Sequence, residues 1–329
     1  MNKYFKTPLF VSIDLSNRCN LNCIHCRNNK TKITELNYNK IIELIKELEN
    51  LEIFHLSFSG GEPFLHPEIY DILEYAQKLN FPKITITTNC VFIDRLKISK
   101  LDRTKIRFAI SLDGPKDIHN LIRGKDVFDN VKENISYLVA DKFYIMLNCT
   151  LMKQNYKYFD DIIKIGKELK VNQINFSKVF PVHPVIKQFM LTKEDLNELY
   201  DKYKHYSDEK DIVLFFDKGY IGFPDDYDKD ISIYMGCRAG ISQVNIMSDG
   251  SVIGCKLLPQ ICAGSIYKND IKTIWENNDN WKIFRNMKDT VNNKICNDCK
   301  YFEACKGGCR AIAYYVTGNI SSRDPFCPL

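Results

Sequence analysis

Cys19, Cys23 and Cys26 stand in the run SNRCNLNCIHCRN with the spacing C-x3-C-x2-C. Three thiolates on one short loop can hold three irons of a 4Fe-4S cube and leave the fourth iron open to an outside ligand, whereas a purely structural site would close all four positions. A cluster with an open iron can bind and reduce a cofactor. A second run, Ser59-Gly60-Gly61-Glu62-Pro63, combines two glycines, which let backbone approach a ligand closely, with a carboxylate able to receive an ammonium group. The last third carries seven more cysteines in a set order: Cys237, then Cys255 beyond Gly250, then Cys296, Cys299, Cys305 and Cys309 as C-x2-C-x5-C-x3-C, and finally Cys327. The short spacings suit thiolates converging on a metal centre, and taken alone they would serve zinc as well as iron.

These residues need elements to hold them. Apolar segments that read as strands fall at Phe10 to Leu15, Ile53 to Phe58, Ile84 to Thr88, Ile106 to Leu112, Phe143 to Leu151 and Gln173 to Ser177. Between them Ile41, Ile42, Ile45, Leu48 and Leu51, and later Val127, Phe128, Val131, Ile135 and Leu138, recur at helical spacing. Alternating strands and helices predict an α/β fold with a parallel sheet, here six βα units forming a partial (β/α)6 TIM-type barrel over residues 1–190. Ligands bind such sheets at the carboxyl ends of the strands. The three-cysteine loop follows the first strand there, and the Gly-Gly turn follows the second.

Thr192 followed by Asp195 starts a helix through Tyr206, and residues 208–230, rich in Asp and Lys with interspersed Gly and Pro, read as a linker. Residues 191–230 are thus expected to bridge to a small Cys-rich domain at 231–329. In it VNIM-SDGS-VIGC predicts a β-hairpin turning at Asp249-Gly250, which brings Cys237 and Cys255 near each other.

The chain has 329 residues, 45% apolar, with a net charge of +5 and 13 cysteines. This is ample for a large core and a second unit. The modest charge lacks any basic tract, which argues against nucleic-acid binding. No apolar run reaches the length of a membrane span and no export signal precedes Pro8, so a soluble cytoplasmic protein whose thiols serve metal rather than disulfides is expected.

Together the C-x3-C-x2-C loop and the GGEP turn one βα unit later resemble the radical S-adenosylmethionine (SAM) superfamily, and the seven downstream cysteines resemble its SPASM extension. The resemblance spans nearly the whole chain. It implies a SAM-binding 4Fe-4S cluster on Cys19, Cys23 and Cys26, with Gly60, Gly61, Glu62 and Pro63 lining the methionine end of SAM. It implies two auxiliary 4Fe-4S clusters, one on Cys296, Cys299, Cys305 and Cys327 and one on Cys237, Cys255 and Cys309, with Cys262 near enough in sequence to supply a fourth ligand. His25 takes the place of an aromatic that packs near adenine in relatives, and Thr88, Asn89, Ser111, Asp113 and Arg123 occupy positions that meet the ribose and carboxylate. The chemistry implied is one-electron reduction of SAM to a 5′-deoxyadenosyl radical that removes hydrogen from an unactivated carbon, with a flavodoxin- or ferredoxin-type electron donor.

SPASM relatives act mostly on peptides, others on cofactor precursors. The expected reaction is therefore cross-linking (C–C or thioether) or epimerisation of a ribosomally made peptide. The alternatives are oxidation of a small cofactor or haem-pathway precursor, and an Fe-S or zinc protein without turnover. Sulfatase-maturating relatives carry an aspartate directly after the cysteine equivalent to Cys255. Here that residue is Lys256, which argues against sulfatase maturation. With the barrel starting almost at residue 1, the expectation is that a separate leader-binding protein presents the peptide, that the enzyme reads it directly, or that the substrate is small. Cys90, where relatives commonly have glycine, and Cys149 are the candidate hydrogen-atom donors that an epimerase needs.

Overall fold

The computed structural model describes residues 4–27, 32–206, 208–216 and 236–327. Among the described residues ten strands form one sheet in the order β10-β9-β8-β1-β2-β3-β4-β5-β6-β7. The strands are β1 (Phe10–Ser16), β2 (His55–Gly60), β3 (Lys83–Thr88), β4 (Ile106–Ser111), β5 (Tyr144–Leu151), β6 (Gln173–Lys178), β7 (Val213–Phe216), β8 (Gln243–Ile246), β9 (Ser251–Ile253) and β10 (Cys262–Ser265). From β8 across to β7 every neighbouring pair is parallel, while β8, β9 and β10 pair antiparallel.

The six expected strands are present with ends shifted by a residue or two. Two strands were not expected, β10 at Cys262–Ser265 and β7. Val213–Phe216 lies inside the segment read as a linker and adds a seventh parallel strand beside β6, the first four residues pairing from Gln173↔Val213 to Phe176↔Phe216. The remainder of that expected linker, 217–230, lies outside the described residues.

The crossovers carry α1 (Tyr38–Asn50), α2 (Ile69–Ala76), α3 (Arg95–Ile98), α4 (Lys116–Arg123), α5 (Phe128–Ala140) and α6 (Phe159–Glu168), and α7 (Lys193–Lys204) precedes β7. Local chemistry sets their ends. The Asn37 side chain accepts from Lys40 N to cap α1, and Thr192 with Asp195 forms a reciprocal capping box on α7. Ile41, Leu44, Ile45 and Leu48 make the buried stripe of α1.

Strand alternation divides the sheet into two faces. In β5, Ile145, Leu147, Cys149 and Leu151 are fully buried and alternate with half-buried Tyr144, Met146, Asn148 and Thr150. The first set belongs to the continuous apolar core shared with the helices, together with Val11, Ile13, Leu15, Phe58 and Phe108. The second set turns inward, in register with Ser12, Asp14, Ser57, Thr85, Arg107 and Gln173, so the inner wall is polar. Among the described residues no helix is long and apolar enough to cross a membrane.

Candidate active site

β1 delivers the chain into the three-cysteine loop, and the turn after β2 supports that loop from below. Gly61 N–H donates to Ser16 O at 2.7 Å and Glu62 N–H to Arg18 O at 2.8 Å. A Cβ on Gly61 would stand 2.5 Å from the Arg18 carbonyl carbon and 2.7 Å from Asn17 O, and Gly60 holds φ +132° directly against Ser16. Both glycines are therefore required by backbone passing over backbone.

Glu62 is 2% exposed. Its carboxylate accepts from the Thr88 hydroxyl (2.6 Å), Asn89 N–H (2.7 Å) and Phe64 N–H (3.2 Å), which locks the end of β2 to the end of β3. Burial pushes its pKa up to about 7 even though these donors pull the other way. Thr88 thus acts on Glu62, and Asn89 reaches upward: its amide donates to Asn20 Oδ1 at 2.8 Å and lies 3.9 Å from Cys19 Sγ.

A second support comes from β4 and α4. Asn22 N–H and Ile24 N–H donate to the carbonyls of Arg123 and Ile122 at the end of α4, and Gly124 caps that helix in the left-handed region, where a Cβ would press on Asn22 O at 2.8 Å. Asp113 accepts from Thr150 N–H at 3.0 Å and pairs with Arg123 at 2.6 Å, and Arg123 in turn donates toward Cys23 Sγ at 3.6 Å. A continuous chain of contacts therefore runs from β5 through Asp113 and Arg123 to a loop sulfur. Burial is the largest influence and works to raise the Asp113 pKa, but Arg123, His25, His119 and the Thr150 N–H together outweigh it and hold the carboxylate below its ordinary range. His25 and His119 border this pair, and burial pushes both down to about 4, so both rings are neutral at pH 7. Ser111 is half-buried on the inner face at the end of β4, level with Asn148.

Amides line the inner wall farther round. Tyr144 donates to Gln173 Oε1 (3.2 Å), Gln173 to Asn175 Oδ1 (2.5 Å), and Asn175 to Asn148 Oδ1 (2.9 Å). Opposite, on β1, Asp14 accepts from Lys256 at 2.5 Å and from Arg27 at 3.2 Å, while Lys256 also donates to Ser12 Oγ at 2.8 Å. Neither ladder nor triad was visible from sequence. The only hint was Lys256 itself, as the residue following Cys255.

The carboxy-terminal cysteines fall into two groups. Burial pushes Cys255 up to about 12, reinforced by its neighbours Cys237 and Cys309. Cys296 is raised by burial and by nearby Cys327 and Cys299, and Cys305 rises to about 11 through burial and Cys327. Three residues not singled out from sequence organise them. Arg310 is buried beside both groups and donates to the carbonyls of Ile320, Ser322 and Gly307; Asp324 accepts from Cys309 N–H at 2.7 Å; and Arg323 donates to Cys327 Sγ at 3.1 Å. Cys262 differs from these. It is exposed on β10 and its thiol donates to Gly264 O at 3.1 Å.

Among the described residues no three side chains of His, Cys, Asp or Glu are arranged to hold a single metal ion. The donor sets nevertheless fit iron-sulfur groups. The thiols come in separate sets, nitrogen donors already point at Cys19, Cys23 and Cys327, and buried Asn20 Nδ2 and His25 Nδ1, beside the first loop, have no partner. The glycines at 60 and 61 let the turn after β2 pass directly beneath that loop.

The two candidate hydrogen-donor cysteines lie in the apolar core. Cys90 and Cys149 do not face the barrel interior. Cys90 is fully buried in the apolar core with φ +57°, which explains why glycine suits this position, and Cys149 shares the outward face of β5 with Ile145 and Leu147. Burial raises both thiols far above their ordinary pKa. Alternation along β5 placed Cys149 with the core, and the Thr88-Asn89 turn folded Cys90 beneath the strand ends.

The radical SAM superfamily matches residues 13–165, and the SPASM iron-sulfur cluster-binding domain matches residues 237–300. The AdoMet-dependent heme synthase of Methanosarcina barkeri is 26% identical, over 97% of this chain and 96% of its own. The mycofactocin maturase MftC of Mycobacterium tuberculosis is 24% identical, over 97% and 83%. Among solved structures, native anSMEcpe with bound AdoMet and the Kp18Cys peptide superimposes with a TM-score of 0.72 at 25% identity, covering 93% of this chain and 90% of that one.

Proposed function

Because the chain belongs to the radical SAM superfamily and carries a SPASM iron-sulfur domain, we propose that it is a peptide maturase, removing hydrogen from a residue of a ribosomally made peptide to close a carbon–carbon or thioether cross-link. The observation that carries this reading is the amide ladder Tyr144–Gln173–Asn175–Asn148 on the inner wall. A peptide brings an N–H and a C=O with every residue, and side-chain amides both donate and accept. The peptide-bound anSMEcpe structure and the maturase relative support it. Burial of Cys90 and Cys149 in the apolar core favours a cross-link over epimerisation.

In this reading Cys19, Cys23 and Cys26 hold the SAM-binding cluster, Cys237, Cys255 and Cys309 hold one auxiliary cluster, and Cys296, Cys299, Cys305 and Cys327 hold the other. Bound SAM and its cluster supply the hydrogen-abstracting radical. The protein supplies position: Glu62 and Thr88 fix the turn beneath the loop, Asn89 and Arg123 orient sulfur, and His25 and Ser111 border the cofactor. Electrons come from a flavodoxin- or ferredoxin-type donor, and a separate leader-binding protein presents the peptide.

Oxidation of a haem-pathway precursor is the second reading. The heme synthase relative, which matches this chain almost end to end, favours it. Anaerobic reconstitution yielding about twelve irons per chain, with reductant-dependent 5′-deoxyadenosine formation, supports the enzyme. Zinc occupancy without SAM cleavage overturns it. Mass spectrometry of a peptide encoded beside the gene decides the substrate: loss of two hydrogens supports the cross-link, and deuterium uptake from solvent without that loss overturns it in favour of epimerisation.

A further inference from the structure

The inner face of β1 is where charge from two distant parts of the chain meets. Asp14, its side chain 3% exposed, lies between the Lys256 ammonium at 2.5 Å and the Arg27 guanidinium at 3.2 Å. Arg27 follows Cys26 and Lys256 follows Cys255, so the triad stands between the loop of the first cysteine set and that of the second.

Two cations against one carboxylate leave one positive charge over. Neutralising Asp14 needs one cation, and an uncompensated charge held partly out of water is costly. Donor capacity is left over as well. The ammonium uses two of its three protons on Ser12 and Asp14, and the guanidinium has one described contact among five N–H groups. Two sulfurs of the first loop draw on other donors, Cys19 on Asn89 and Cys23 on Arg123.

We infer that Lys256 and Arg27, spread and oriented by Asp14, seat a carboxylate of the substrate: an Asp or Glu side chain or C-terminus of the peptide, or a propionate-like acid of a macrocycle. This rests on the reading of the polar inner wall as the substrate chamber. Lys256 is then a residue of specificity, and its place beside Cys255 holds the acidic group close to the auxiliary cysteines while the rest of the substrate faces the first loop.

The test is anaerobic equilibrium binding to the iron-loaded, SAM-bound protein with two matched probe pairs. One pair is an acetylated Ala/Gly octapeptide with central Glu or Gln; the other is a porphyrin tetracarboxylic acid or its tetraamide. In the wild type and in Lys256→Arg, the acid of one pair binds at least about tenfold tighter than its neutral twin. In Lys256→Met, which leaves Asp14 paired with Arg27, the ratio falls to about twofold or less with iron content and absorption spectrum unchanged. Equal binding of acid and neutral forms in the wild type, an unchanged ratio in Lys256→Met, loss of iron in that variant, or failure of both acids to bind overturns the inference. Which pair binds decides separately between peptide and macrocycle.

Discussion

Gly61→Ala isolates the steric support of the three-cysteine loop. Gly61 lies outside the left-handed region, so alanine can adopt its backbone and the whole effect comes from collision. The new methyl would overlap the Arg18 carbonyl oxygen and stand 2.5 Å from its carbon, where ordinary contact begins near 3.4 Å, so the loop or the turn must yield by at least about 0.9 Å. That movement pulls on the two hydrogen bonds of 2.7 and 2.8 Å that tie the turn to Ser16 and Arg18, one residue before Cys19. Overpacking of this kind costs about 1–3 kcal/mol of stability. Displacement of a reacting group by about 1 Å costs on the order of a hundredfold in rate. The assay is 5′-deoxyadenosine formation under dithionite, with iron content and urea midpoint measured in parallel. Gly318→Ala is the control, because it strains a left-handed cap with open space around it and touches nothing in the site. A Gly61→Ala enzyme that cleaves SAM within about threefold of wild type refutes the reasoning, as does an equal loss in Gly318→Ala.

Three other outcomes follow from the same geometry. Arg123→Met strands the buried Asp113 carboxylate and costs about 3–5 kcal/mol by urea denaturation, and adding Asp113→Asn recovers more than about 1 kcal/mol of it; additive losses contradict the pairing. Cys149→Ala lowers stability by about 1 kcal/mol but leaves SAM cleavage and product mass unaltered, and loss of product with cleavage intact restores the thiol as a hydrogen donor. His119, 1% exposed, accepts the Asp113 N–H on Nδ1 at 3.3 Å and is pushed down to about 4 by burial. The unfolded chain takes up a proton near pH 6.5 and the folded chain does not. Stability therefore falls between pH 6.5 and 4 by about 1.4 kcal/mol per unit from this group, and His119→Gln removes that part of the slope in urea midpoints.

Most of the parallel sheet could be read from sequence because its strands are short apolar runs separated by helical periodicity, and both signals are local. β7 could not. Its four residues, Val-Leu-Phe-Phe, follow the charged stretch Asp208 to Asp211, and only pairing with β6 makes them a strand. The cysteine loop and the Gly-Gly turn were legible as motifs, yet the work of Glu62 was not. Its carboxylate, expected to face an ammonium, is occupied by donors 26 and 27 residues away, at and just past the end of β3. The Asp14–Lys256 contact spans 242 residues and has no local signature at all.

The way Lys256 reaches Asp14 follows from strand register. β8 joins β1 in parallel from Phe10↔Gln243 to Ile13↔Ile246, which sets Asn245 level with Ser12. From there the Asn245 amide donates to Gly254 O at 2.8 Å, one residue before Cys255. Gly254 itself has no room for a side chain, since a Cβ would meet the Phe284 ring at 2.8 Å. The loop carrying Cys255 and Lys256 is therefore held by one amide to β8, which lies beside the strand that feeds the first cysteine loop. Slipping β8 by one residue against β1 would turn Asn245 to the other face and shift Lys256 away from Ser12 and Asp14. The separation of the two cysteine sets is thus fixed by a hydrogen-bonded ladder rather than by the connecting chain, and a substrate lodged between them meets both across a distance that the ladder sets.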